Sequence, residues 1–239
     1  MADFFKNIAD QFVFNFIEGD RWQIILDGLL VTLKVTLFAA LIGIALGFLV
    51  GLIRANRERN GRSRNFRYFR LEWLCDIYVT VIRGTPVMVQ LLIIYFVVFA
   101  AVDIDKSLAA IIAFGFNSGA YVSEIFRSGI LSIDIGQTEA GRSLGLTSAQ
   151  TMVKVILPQA VKNALPALGN EMITLLKETS VVGYIGLVDL TKSYSIIQSR
   201  TLSAFWPLIA IALIYLVMVM GLTKLLGILE RRLRQSDKR

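Results

Sequence analysis

Histidine is absent from this 239-residue sequence, and cysteine occurs once, as Cys75. Those two absences exclude disulfides within the chain, Cys/His zinc sites and Ser-His-Asp chemistry, and the sequence offers no metal site. A single cysteine beside an apolar run reads as inert packing. No G-x-x-x-x-G-K-[ST] string occurs either, so the chain lacks a phosphate-cradling loop of that type. There is no long-period repeat and no low-complexity tract, which leaves one membrane domain as the simplest organisation.

What is abundant is apolar. The chain is 55% hydrophobic, with a mean hydropathy of +0.63, too apolar for an ordinary globular domain. It still carries 18% charged residues and a net charge of +7, so the charge is segregated from the apolar runs. A basic balance is compatible with nucleic-acid binding. Here the basic residues flank apolar spans, and membrane topology explains them better.

Residues 1–22 space Phe4, Ile8, Phe12 and Phe16 four apart between polar residues, the pattern of an amphipathic helix. Lying in the bilayer interface and packing on the rest of the protein both satisfy it. No short apolar core with a small-residue cleavage site follows, so it does not read as a signal peptide.

Ile24 to Ile53 is the first span, ample at about 1.5 Å per residue for a hydrocarbon core of roughly 30 Å. Within it Gly43, Gly47 and Gly51 recur every fourth residue, which predicts close approach of another helix. Seven arginines follow, from Arg54 to Arg70, against Glu58, and such a run marks the cytoplasmic side. Leu71 to Ala101 is a second span broken at Arg83-Gly84-Thr85-Pro86. Leu108 to Phe126 returns inward with Asn117, Tyr121 and Glu124 on one face. A polar loop occupies Arg127 to Val153; Ala160 to Ile185 then runs outward, and Gly186 to Ser203 lies outside. Phe205 to Leu229 crosses inward to a basic tail, 231–239. Five spans place both arginine-rich segments on one side, with the N-terminus outside and the C-terminus in the cytoplasm.

The polar stretch Glu139 to Pro158 is the longest part of the middle that does not suit lipid. Residue chemistry alone leaves it as either an ordinary surface helix or a handle for a soluble partner. Glu139-Ala140-Gly141, then Gly145, then Leu157-Pro158 resemble the EAA loop of bacterial ABC-importer permeases, whose spacing the chain keeps throughout. It departs at Gly141, where alanine is usual, and at Val155, where isoleucine is usual. Arg83-Gly84-Thr85-Pro86 with Gln90, Ala120-Tyr121 with Glu124 and Arg127, Lys177-Glu178-Thr179-Ser180, and Leu229-Glu230-Arg231-Arg232 are similar to the polar amino-acid (histidine/glutamine/arginine-type) branch. Together the matches run from Leu29 to Leu233.

The resemblance implies an all-α integral membrane fold of the type I importer kind. Five transmembrane helices occupy residues 23–230, with an N-terminal interfacial helix and a cytoplasmic coupling helix in a loop at 133–158. It further implies residence in the bacterial inner membrane and a dimer with itself or a similar permease. Partner ATPase subunits would hold ATP and Mg, an extracellular binding protein would deliver the amino acid, and this chain would bind no cofactor or nucleic acid. Glu139, Ala140, Gly141, Leu144 and Gly145 would couple to the ATPase.

Polar groups within spans usually face a cavity or another helix. The candidates are Gln90, Asn117, Glu124, Glu171 and Glu178; an α-amino acid needs an anion for its ammonium, which Glu178 supplies, and donors for its carboxylate, which Asn117, Gln90, Thr179 or Ser180 supply. Acidic residues with few deep basic ones favour a zwitterionic or cationic amino acid. Glu124 pairing with Arg127, Glu178 pairing with Lys177, and a structural Glu171 are the competing readings. An ATPase-independent secondary transporter or channel is the alternative function; inverted repeats, its signature, are not visible.

Overall fold

The computed structural model describes residues 2–60 and 66–236. All the regular elements among them are helical. The N-terminal helix α1 (Ala2–Phe12) passes through a π turn at Val13–Ile17 and a short 3-10 turn into α2 (Arg21–Asn60). The π turn seats Asn15 and Phe16 in the protein, while Phe12, whose ring lies 5.1 Å from that of Phe16, remains half exposed.

The longest helix, α2, packs chiefly on α5 (Lys106–Leu131), and its glycines set the distance between them. A Cβ at Gly47 would lie 2.5 Å from Cγ1 of Val122, and one at Gly51 2.6 Å from the Ser123 carbonyl. The close approach read from the four-residue glycine repeat is the observed packing, because only a bare backbone fits there.

Between them α3 (Phe66–Arg83) and α4 (Val87–Ile93, extended by a π turn at Ile94–Val98) form the broken span, bent by 110°. Cys75 and Val79 of α3 pack against Val50 and Ala120, whereas Leu91 of α4 packs against Val35, Ala39 and Phe114. The two halves therefore meet different levels of the same helix pair.

α5 runs five residues past its expected end at Phe126, and the polar loop begins at Ser132 rather than Arg127. Arg127 stays helical because its charge is met by Glu124 and Glu58. The loop holds two short helices, α6 (Ile135–Ser143) and α7 (Ser148–Thr151), and a π turn at Met152–Ile156 leads into α8 (Leu157–Glu178). The stretch after α8 contains α9 (Leu190–Thr201), and α10 (Phe205–Ser236) closes the chain. Asp189 caps α9 by accepting from the Thr191 and Lys192 amides at 3.1 and 2.8 Å.

Three stretches are long and apolar enough to cross a membrane by composition alone: Lys6–Arg59, Lys106–Leu131 and Phe205–Arg232. The bent pair α3–α4 makes a fourth. The fifth expected span, α8, is 22 residues long, about 33 Å at the usual rise, but too polar to qualify by composition. Its polar residues have an internal destination: Lys162, Asn163 and Glu171 line a cavity against α5. Arg62 and Arg64 of the basic run, and residues 237–239 of the tail, lie outside the described residues.

Candidate functional site: a braced hairpin and a cavity between α5 and α8

The loop between α5 and α8 is a hairpin with defined turns at each corner. Asp134 opens α6 by accepting from the Gly136 amide at 2.6 Å. At the other end Gly145 sits at φ +81° and its N–H donates to Arg142 O, while the Leu146 N–H donates to Gly141 O. That pair of bonds is a Schellman closure, which glycine favours because it adopts the left-handed region without a Cβ penalty. Thr147 and Gln150 then form a reciprocal capping box on α7. Gly141 is buried against α7, where an added Cβ would lie 2.6 Å from Cγ2 of Thr151. The two arms touch at Gly141, which accounts for glycine where an alanine is usual.

The hairpin is held at its root. Arg59 of α2 donates to the Ile130 carbonyl and to Thr138 Oγ1, both at 2.8 Å. Asn163 donates to Ser132 Oγ at 2.9 Å, and Ala55, Ile130, Ile133, Ile156 and Ala160 form a small apolar core beneath. Glu139, Ala140 and Leu144 point away from this root, and Leu144 is 82% exposed. Ile135 and Val153, which the sequence reading did not single out, are exposed beside them. An apolar residue displayed on a braced hairpin suits docking onto another surface.

The residues proposed for substrate do not form one site. Gln90 and Asn117 belong to the break in the second span. Pro86 has no N–H, so the Ile82 carbonyl loses its usual helical donor. Gln90 Nε2 replaces it at 2.7 Å and also reaches Thr85 O and Thr85 Oγ1. Asn117 Nδ2 in turn donates to Gln90 Oε1 at 2.8 Å. The Gln90 donors expected to meet a carboxylate are thus turned inward onto the break. Asn117 keeps one buried oxygen, Oδ1, without a partner.

Thr179 is fully buried and donates to the Leu176 carbonyl, so it too faces the protein rather than a ligand. Ser180 lines a small pocket of about 190 Å³ with Tyr184 and Lys192 of α9. Glu178 is partly buried and makes no ion pair among the described residues, Lys177 included.

Glu124 sits in an ion cluster joining α2, α3 and α5. Its Oε2 accepts from Arg54 at 2.6 Å and its Oε1 from Nε of Arg127 at 2.8 Å. Arg54 also pairs with Asp76 at 3.1 Å, Arg57 pairs with the same carboxylate, and Arg127 reaches Glu58 at 2.8 Å. Of the two readings of Glu124, the geometry is that of the ion-paired residue. The rotation that aims Arg54 at a residue 70 positions later belongs to the packing of α2 on α5, which no local pattern encodes.

A cavity of about 670 Å³ opens beside this cluster, between α5 and α8. Arg83, Tyr121, Glu124, Lys162, Glu171 and Glu230 supply its charge and polarity. Glu171 accepts from Ser118 Oγ at 2.9 Å. The sequence reading treated Glu171 as structural and took Arg83 only as part of the break; the structure brings both to the cavity wall. Glu171 carried a signal in the sequence, a charged residue within a span and hence a candidate to face a cavity, whereas Arg83 was obscured by its place at the end of a broken one.

Comparison with known proteins agrees with this architecture. Residues 43–235 match the family model for the binding-protein-dependent transport system inner membrane component. The arginine transport system permease protein ArtQ of Bacillus subtilis is 41% identical over 89% of this chain and 94% of its own length. The glutamine transport system permease protein GlnP of Escherichia coli K12 is 37% identical over 84% and 90%. A crystal structure of an amino acid ABC transporter with histidines superposes with a TM-score of 0.78 at 44% identity, covering 88% of this chain and 94% of the other. The MetNI methionine ABC transporter, 21% identical, shares the fold at a TM-score of 0.75 over 90% and 98%. The chain belongs to the binding-protein-dependent transport system inner membrane component family, the permease subunits of ABC importers.

Proposed function

We propose that this permease carries a polar amino acid, zwitterionic or cationic, across the bacterial inner membrane toward the cytoplasm. It acts as a dimer with itself or a similar permease, above two separate ATPase subunits that bind ATP and Mg. An extracellular binding protein presents the amino acid. Five spans, α8 being the polar one, put the N-terminus outside and the hairpin and C-terminus inside, with α1 at the outer interface.

One observation carries the ATPase-driven reading: Leu144 and Glu139 stand exposed on a hairpin whose root is fixed to α2 and α8. A rigid root transmits displacement of the tip to the spans, which is what coupling to an external motor requires. The amino-acid reading rests on the relatives and on a cavity holding both signs of charge. Reconstitution with the ATPase subunits and binding protein in liposomes tests both, with ATP hydrolysis measured against a panel of polar amino acids. Stimulation by one or a few is the expected result. Uptake that proceeds without ATP overturns the coupled mechanism, and no stimulation by any of them overturns the substrate class.

A further inference from the structure

The ion cluster at the inner ends of α2, α3 and α5 holds four guanidinium groups and three carboxylates among the described residues. One of the four guanidiniums is held more loosely than the rest, and the geometry identifies it. Arg54 and Arg127 hold the Glu124 oxygens at 2.6 and 2.8 Å, while Arg83 stands 3.7 Å from the same carboxylate. Arg83 is also the most open, its side chain 42% exposed against 14%, 17% and 21% for Arg54, Arg57 and Arg127.

Its guanidinium lies over the Tyr121 ring, 5.4 Å from the centroid, and both residues line the inner cavity. Stacking on an aromatic face orients the planar group and leaves its edge N–H donors free. Arg83 ends α3 just before the break at Pro86, so its backbone position is set by the Gln90 bonds to Ile82 and Thr85.

We propose that Arg83 receives the α-carboxylate of the transported amino acid in this cavity, through the two-pronged N–H pairing that a guanidinium makes with a carboxylate. Glu171, across the cavity on α8, presents the opposite charge for the ammonium or a cationic side chain. The assignment rests on the amino-acid reading of the cavity.

The test is equilibrium binding to the detergent-solubilised permease assembled with its ATPase subunits. The probes are L-arginine, L-glutamine and L-histidine, each with its α-carboxamide, which keeps the ammonium and side chain and removes the carboxylate charge. Wild type is expected to bind the best of the three acids at least about tenfold more tightly than its amide, the worth of one charged hydrogen-bonded contact. Arg83→Gln is expected to bind acid and amide alike by weakening only the acid. An acid-to-amide ratio that survives Arg83→Gln, or that is absent from wild type, overturns the proposal. If Arg83→Gln does not assemble, Arg83→Lys decides the matter. It keeps the charge but loses the fork, so the ratio should fall part of the way, and an unchanged ratio overturns the assignment. If wild type binds none of the three acids, the amino-acid reading of the cavity itself fails, and the Arg83 assignment with it.

Discussion

Asn117 donates from Nδ2 to Oε1 of Gln90 across 2.8 Å, and through that bond α5 holds the break between α3 and α4. Gln90 spends its own N–H groups on the Ile82 carbonyl, which Pro86 leaves without a donor, and on the Thr85 carbonyl beside it. The pair thus stabilises a bend that proline alone would leave open.

Replacing Gln90 with Leu should destabilise the permease by about 1–3 kcal/mol, because the Ile82 carbonyl and the Asn117 amide both lose a buried partner. Asn117→Leu should cost less, since the break keeps its donor from Gln90. Thermal unfolding of the purified variants in detergent checks the order, and a costlier Asn117→Leu would contradict it.

Glu124→Gln should be among the most disruptive single changes in the ion cluster of α2, α3 and α5. It leaves Arg54 and Arg127 facing each other with one charge fewer between them, at a cost of about 1–3 kcal/mol for a partly buried cluster. Combining it with Arg127→Leu should recover part of the loss, which a double-mutant cycle in the same unfolding assay measures.

On the hairpin, Gly141→Ala should strain the contact with Thr151 by about 1 kcal/mol. Thr151→Ala in the same chain should relieve it. Uptake per ATP hydrolysed in liposomes is the measurement, with Gly141→Ala reduced and the double variant restored.

Glu139→Ala and Leu144→Asp should leave unfolding temperature within experimental scatter, because both side chains are exposed. Both should nonetheless lower amino-acid-stimulated ATP hydrolysis several-fold. Unchanged stimulation in both would remove the docking role from the tip of the hairpin.

Burial raises the Asp189 carboxyl above the usual carboxylate range, although two backbone amides and the Thr191 hydroxyl bond it. A raised folded-state value means this group's contribution is present at low pH and lost as pH rises through that value. Asp189→Asn keeps one of the two acceptors of the α9 cap, turns its NH2 toward the other backbone N–H, and removes the pH-dependent penalty. Its stability relative to wild type should therefore be most favourable at neutral pH and become less so as pH falls toward 4.

Much of the architecture was legible because it is local. The apolar runs, the break at Pro86 and the left-handed turn at Gly145 each follow from a few neighbouring residues and their backbone preferences. The glycine repeat on α2 is equally local, since any helix laid against it must approach closely. Element ends were less so: α5 continues through Arg127 because Glu58, 69 positions earlier, meets its charge. The substrate residues scattered for the same kind of reason. Gln90 read as a free amide until the Ile82 carbonyl was seen to lack its donor, and Glu171 read as structural until α8 turned it toward a cavity.

The sequence by itself determined that this is a membrane chain with a polar loop between spans and a broken second helix, because length, hydropathy and backbone chemistry act within a few turns. Tertiary structure alone decided which polar groups neutralise one another and which remain to face the cavity. That choice depends on the rotation and depth of each helix against partners 19 to 70 residues away, and moving one helix by a single residue reassigns its partners.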